Sequence, residues 1–191
     1  MAVPDYQSLM LPLLRLAAKK GIEISTSEAV EALAAELSLS DEDLKEMLPS
    51  GIQSTFVNRV GWASTYMKKA GLLEATRRGF YRITDRGRDL LKNQPEAINV
   101  KLLKQYPEFL EFQRLKGTRG GDKATRPKGT ADLSVITPSE ELESAYENLR
   151  DELADELLSR LKKISPSFFE RVVVELLVKM GYGGSRADAG K

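Results

Sequence analysis

The stretch Ser54-Thr55-Phe56-Val57-Asn58-Arg59-Val60-Gly61-Trp62-Ala63-Ser64-Thr65-Tyr66-Met67-Lys68-Lys69-Ala70-Gly71 decides the fold. Phe56, Val57, Val60, Ser64 and Met67 recur at helical spacing and make one face that can meet a core. Gly71 is suited to the left-handed position that closes a helix. Asn58, Arg59, Trp62, Thr65, Tyr66 and Lys69 fall largely on another side. Arg59, Trp62, Tyr66 and Lys69 follow one another at steps of three or four, so they stack along one stripe. The spacing predicts an amphipathic helix from Ser54 to Ala70 with an exposed stripe of cations, aromatics and an amide.

Upstream, Pro4 suits the first turn of a helix to about Lys19, with Leu9, Leu13 and Leu16 on one face and Gly21 as its stop. Pro12 inside it predicts a kink or break. Ser25-x-x-Glu28 is a capping box opening a second helix with Val30, Leu33 and Leu37 inward. Ser40 with Asp43 repeats that signal for a short helix ending before Pro49. Downstream, Leu72 to Thr76 and Phe80 to Thr84 are strand-like runs separated by Arg77-Arg78-Gly79, a hairpin with two arginines at its tip. Thr84 or Asp85 then caps a helix through about Lys92. Helix, helix, helix, hairpin is the winged helix-turn-helix order, in which the third helix lies in the major groove and the hairpin touches the adjacent backbone.

Composition narrows the chemistry. The chain has neither cysteine nor histidine, which excludes disulfides, thiolate nucleophiles, Ser-His-Asp triads and His-ligated metals. No apolar run approaches a spanning helix, and Met1 to Gln7 lacks a signal-peptide pattern, so a soluble cytoplasmic protein with no membrane partner is expected. The net charge of +1 conceals segregation: Gly21 to Ser54 is acidic and Thr55 to Lys92 basic. A field divided this way is one a polyanion would feel, although a charge run alone also suits a merely solvated face.

On double-stranded DNA each residue type in the stripe has a use. Arg59 and Lys69 suit phosphate or guanine, Asn58 suits a bidentate contact to adenine, and Thr65 lies beside them. Trp62 and Tyr66 offer flat surfaces to sugars, thymine methyls or an unstacked base. For these two a core position is the competing reading, and for Tyr66 the alternatives stay open. Arg77 and Arg78 are read as phosphate contacts, or as one arginine entering the minor groove, because a small domain has no means of burying both.

After Lys92 the character changes. Pro95 to Phe112 holds helical pieces interrupted by Pro107, with Ile98, Leu102, Leu103, Phe109 and Phe112 able to pack on the preceding unit. Arg114 to Thr130 loses periodicity and mixes glycine, proline and basic residues, as in a flexible tether. Thr137-Pro138-Ser139-Glu140 combines N-cap, first-turn proline and capping-box glutamate, opening an acidic helix to about Ile164. Leu142, Tyr146, Leu149, Leu153, Leu157 and Leu161 give it an apolar stripe suited to a partner helix, so a homo-oligomer through 137–164 is one reading. Ser165-Pro166 starts a last helix whose Phe168, Phe169, Val172, Val173, Leu176, Leu177 and Met180 must be buried against something larger.

Asn58-Arg59-Val60-Gly61-Trp62-Ala63, then Tyr66-x-Lys68-Lys69-Ala70-Gly71-Leu72-Leu73 and Arg78-Gly79-x-Tyr81-Arg82-Ile83-Thr84, resemble the amino-terminal winged-helix domain of Mrr-type restriction proteins. Pro4-Asp5-Tyr6-Gln7 and Leu48-Pro49-Ser50-Gly51 fit as well. Phe168-Phe169-Glu170 through Leu176-Leu177 to Met180-Gly181-Tyr182 resembles the first helix of that family's nuclease domain. The resemblance implies recognition of foreign or methylated DNA and, for the complete family nuclease, Mg²⁺-dependent phosphodiester cleavage. Carboxylates are the hard ligands Mg²⁺ prefers, and the metal acidifies water. The family's catalytic strands lie downstream of Gly181-Tyr182, and this chain offers no such strands. Glu170 matches an accessory acidic position, no metal site is complete in this chain, no cofactor is expected for it alone, and Asp188 to Lys191 lacks strand pattern.

The expected fold class is therefore mainly α. A winged helix-turn-helix domain with a small β-hairpin wing spans 1–92, a helical extension 93–113 and a flexible basic linker 114–136. Two helices span 137–191, the second opening a truncated α/β nuclease domain. The functional reading is the DNA-binding portion of an Mrr-like restriction endonuclease, inactive in cleavage by itself. A non-enzymatic winged-helix regulator is the alternative, and an interaction protein using the same fold a third.

Overall fold

The computed structural model describes residues 3–118 and 136–182. Most of the linker expected at 114–136 and the tail from Asp188 to Lys191 lie outside the described residues. The chain divides into two compact units, Met1–Glu143 and Ser144–Lys191.

In the first unit, α1 (Met10–Lys20) is followed by β1 (Ile24–Ser25), α2 (Thr26–Glu36), α3 (Asp41–Lys45) and α4 (Thr55–Lys69). Then come β2 (Leu73–Arg77), β3 (Phe80–Ile83), α5 (Asp85–Lys92), α6 (Val100–Leu103) and α7 (Pro107–Thr118). The local signals act as read. Ser25 and Glu28 close a capping box on α2, and Ser40 and Asp43 close another on α3. Thr84 Oγ accepts from the Gly87 amide to start α5. At the end of α4 the Gly71 amide donates to Lys68 O and the Leu72 amide to Met67 O, with Gly71 at φ +70°. These paired bonds satisfy carbonyls that the last turn leaves open, and the positive φ suits a residue without Cβ.

Pro12 neither kinks nor breaks the first helix. The helix begins at Met10, after a turn in which Asp5 accepts from the amides of Gln7 and Ser8. Pro12 therefore falls in the first turn, where an amide would lack an intrahelical acceptor anyway. The sheet also has a strand that no periodicity announced. Two-residue β1 pairs antiparallel with β3, Ile24 opposite Tyr81 and Ser25 opposite Phe80, so the strand order is β1-β3-β2. The register between β2 and β3 shifts between Ala75 and Arg77, a bulge just before the tip. Thr26 donates both its amide and its hydroxyl to Gly79 O, tying the tip to the start of α2.

The core lies where α1, α2, α4 and the sheet meet: Leu9, Leu13, Leu14, Ala17, Ile24, Ala29, Leu33, Phe56, Val60, Ala63, Met67 and Tyr81 are all buried. Val57, expected on the buried face of α4, is only half-buried, and Ala63 takes the core position. Ile98, Val100, Leu103 and Phe109 extend the core through α6 and α7. Helix α8 (Pro138–Leu161) begins inside the first unit, which runs to Glu143, past the boundary expected at 137. The second unit holds the rest of α8, which ends at Leu161 rather than Ile164, and α9 (Pro166–Lys179). Along them Tyr146, Leu149, Leu153, Leu157, Phe168, Phe169, Leu176 and Met180 stay exposed.

Gly87 tests the packing of α5. Helix propensity alone favours alanine there by about 1 kcal/mol, but a Cβ would meet Leu72 O at 2.4 Å and Ile83 Cγ1 at 2.8 Å. Gly87→Ala is expected to lower stability by about 1–3 kcal/mol in urea unfolding; a stabilised variant would show that this contact relaxes freely.

Candidate nucleic-acid interface

Helix α4 owes its position to two surfaces of different chemistry. Phe56, Val60, Ala63 and Met67 face the core. On another side Tyr66 is buried among aromatic rings, with centroids 5.4 Å from Tyr6, 5.8 Å from Trp62, 5.5 Å from Phe109 and 6.1 Å from Phe112. Tilted and edge contacts at such separations are favourable for aromatic pairs. Burial, and secondarily the charge of Glu141, push the Tyr66 phenol above its ordinary pKa. Tyr66 is thus part of the interior. Lys69 remains exposed, with its ammonium 5.3 Å from the Phe112 ring centre.

The rest of the expected stripe is covered by the chain itself. Asn58 is 6% exposed. Its Nδ2 donates to Gln53 Oε1 at 3.1 Å, and its Oδ1 accepts from the Thr137 hydroxyl at 2.7 Å. Arg59 donates through Nε and Nη2 to Glu140 Oε1 at 3.0 and 2.6 Å, and through Nη1 to the carbonyls of Val3 and Pro4. Trp62 Nε1 donates to Ser139 Oγ at 3.0 Å. The Glu140 carboxylate also accepts from the Thr137 amide at 2.6 Å, while the Glu140 amide donates back to Thr137 Oγ. The capping box read from Thr137 to Glu140 therefore exists, and its side chains are at the same time the partners of α4. The expectation of an exposed stripe is corrected at Asn58, Arg59, Trp62 and Tyr66: residues some 80 positions away satisfy their polar groups, or aromatic neighbours bury them. Helical spacing cannot report this, because periodicity distinguishes the faces of a helix but not what covers them.

What α4 leaves open is narrower. Thr65 is half-buried and its hydroxyl donates to Gly61 O at 2.9 Å. Gly61 looks onto free space, with no atom within 4 Å of where a Cβ would stand. Thr65, Lys68 and Lys69 border a shallow groove of about 620 Å³ whose far side is β2 at Leu73, Glu74 and Ala75. Lys68, left out of the sequence-based site, has its pKa lowered by burial and then by the charge of Lys69. The adjacency of the two lysines was visible in the sequence; that neither pairs with a carboxylate among the described residues was not.

The hairpin tip divides its two arginines. Arg77 pairs with Glu23 at 2.8 Å and lies 3.6 Å over the Phe80 ring, while Thr76 donates to the same Glu23 carboxylate. Arg78 is exposed and has no partner among the described residues. The basic segment from Thr55 to Lys92 is in fact largely neutralised by ion pairs, Arg59 with Glu140, Arg82 with Glu74, and Arg86 with Glu108. Lys68, Lys69, Arg78 and Arg88 carry the charge that remains without a carboxylate among the described residues.

Residues 6–93 match the family model described as the Mrr N-terminal domain. The chain is also similar to the type IV methyl-directed restriction enzyme EcoKMrr of Escherichia coli (strain K12), 33% identical over 201 residues covering 98% of this chain. The chain spans 62% of the length of that relative. No solved structure matches the chain. The matched span takes in α1 through α5 with the hairpin, whereas Phe109, Phe112, Thr137, Ser139 and Glu140, which cover α4, come from residues beyond it.

Arg59 and Glu140 have side chains only 16% and 11% exposed, so removing one leaves the other charge poorly solvated. Arg59→Ala is expected to cost about 2 kcal/mol of stability by denaturant unfolding, and restoration of most of that loss in Arg59→Ala/Glu140→Ala would identify the stranded carboxylate as its cause. A stability unchanged in the single variant would count against the pair.

Proposed function

We propose that this chain is the DNA-recognition portion of an Mrr-like restriction endonuclease, with residues up to Lys92 built as a winged helix-turn-helix that engages foreign or methylated double-stranded DNA. The observation that carries this reading is the set of cations left free of carboxylates among the described residues, above all Lys68 and Lys69 on α4 and Arg78 at the hairpin tip. Two adjacent ammonium groups, one partly desolvated, are stabilised by an anion laid across them, and a duplex supplies phosphates along such a face. The strand order β1-β3-β2 behind a helix closed by the Gly71 turn supports the wing assignment. Open space at Gly61 admits a backbone or a groove edge close to α4. In this reading Lys69, Arg77 and Arg78 contact phosphate and Thr65 faces the groove, with Arg77 first released from Glu23.

Mg²⁺-dependent cleavage is assigned to the complete family nuclease. Among the described residues no group of three Asp or Glu side chains gathers as a cation site, and Glu170 stands exposed on α9. Glu170 would act only as an accessory to carboxylates that the described residues do not place beside it. No helix among the described residues is long and apolar enough to cross a membrane.

Arg78→Ala separates binding from folding, because the arginine has no partner to lose. It is expected to leave the melting temperature unchanged, weaken duplex binding about 3–10-fold at moderate salt and reduce the salt slope by about one contact. Lys68→Ala with Lys69→Ala should act the same way, and a methylated duplex compared with its unmethylated twin reads the modification preference. Absence of duplex binding at low salt would reject the proposal.

A further inference from the structure

We propose that the first turn of α8, Thr137 to Glu140, is an intramolecular ligand of α4 that occupies the helix when no nucleic acid is bound, Glu140 standing where a phosphate would sit on Arg59. The inference rests on the DNA-binding reading above and names the regulation of that site. The Arg59 contact has the chemistry of a protein–phosphate contact, and the turn also fills the donor and acceptor positions of its neighbours. Both Nε and Nη2 of Arg59 converge on one acidic oxygen, at 3.0 and 2.6 Å, as they do on a phosphate oxygen. The Asn58 amide engages a hydroxyl donor, and the Trp62 indole donates to a hydroxyl oxygen. These are the side chains whose types and spacing suit groove and backbone contacts.

The cover differs in kind from a core. Helix α7 covers α4 with Phe109 and Phe112, which an opening would have to strip from the aromatic cluster. The α8 turn covers it with Thr137, Pro138, Ser139 and Glu140, held by side-chain hydrogen bonds and by a further bond from the Ser50 amide to Glu143 Oε2 at 2.8 Å. Its flanking apolar residues are already in water: Ile136 is 41% and Leu142 71% exposed. Lifting the turn therefore exchanges hydrogen bonds for water or phosphate, at a modest net cost for each bond that ends in water and a smaller one where phosphate replaces the carboxylate. The turn also comes from outside the matched span. With the turn seated, Glu140, Glu141 and Glu143 place negative charge beside α4 and oppose a polyanion. With it lifted, Arg59 keeps its bonds to the Val3 and Pro4 carbonyls but loses its carboxylate, and that repulsion is withdrawn, so a closed population lowers the apparent affinity in proportion to its excess.

The test uses the 191-residue chain and Trp62, its single tryptophan. Glu140→Gln keeps the shape of the side chain and removes its charge. It is expected to tighten binding to a duplex about fivefold, steepen the salt dependence, and shift Trp62 emission to longer wavelength before DNA is added. The gain should vanish in Arg59→Gln/Glu140→Gln. Ser139→Ala, which removes only the Trp62 bond, should act in the same direction with a smaller effect and secures the answer if the charge variant folds poorly. Wild-type affinity and emission in both Glu140→Gln and Ser139→Ala, alongside weakened binding in Arg78→Ala, would overturn the intramolecular ligand and leave the DNA reading standing. Failure of every form to bind duplex would overturn both.

Discussion

Helix α4 is required to satisfy two environments at once, and the rest of the first unit is arranged around that constraint. Its Phe56, Val60, Ala63 and Met67 belong to the core shared with α1, α2 and the sheet. Its Tyr66 enters an aromatic group on another side of the same core, with Tyr6, Phe109 and Phe112. A helix with apolar partners on two sides has only a restricted arc left for polar residues, and on that arc Asn58, Arg59 and Trp62 find partners within the chain. The 15-residue element is thereby fixed in rotation as well as in place, which makes the small uncovered strip at Gly61, Thr65, Lys68 and Lys69 a defined surface.

The ion pairs show how a basic sequence becomes a selective surface. Glu23, Glu74, Glu108 and Glu140 come from four different segments, yet each neutralises one arginine of the basic region. Three of these pairs are exposed and contribute little to stability, since water screens both charges. Their effect is spatial: among the described residues they remove most of the field from the arginines they hold and leave it at the lysine pair, Arg78 and Arg88. Arg59 with Glu140 differs because both side chains are mostly withdrawn from water, so the pair restrains position more than it adds stability.

The hairpin follows a related logic. Gly79 turns the chain at φ +78° while its carbonyl is held by Thr26, and the bulge before Arg77 lets that side chain fold back over Phe80 toward Glu23. Two consecutive arginines consequently have different freedoms. One is clamped by a carboxylate and a ring, and the other projects from the turn.

The order of helices and hairpin, the capping boxes at Ser25, Ser40 and Thr137, and the closing turn at Gly71 were all determined by the sequence alone. Each depends on groups within about ten residues of one another, and hydrogen-bond geometry at that range is set largely by residue type. The resemblance to Mrr-type proteins was legible for the same reason, in contiguous runs from Asn58 to Thr84. Tertiary structure alone decided where Pro12 falls in its helix, that Ile24 and Ser25 form a third strand, and which side chains of α4 meet water. Asn58, Arg59 and Trp62 have the composition of an open binding stripe, but Thr137, Ser139 and Glu140 lie about 80 residues downstream. Local pattern carries no information about contacts closed over that distance, so which face of α4 remains free is a property of the fold.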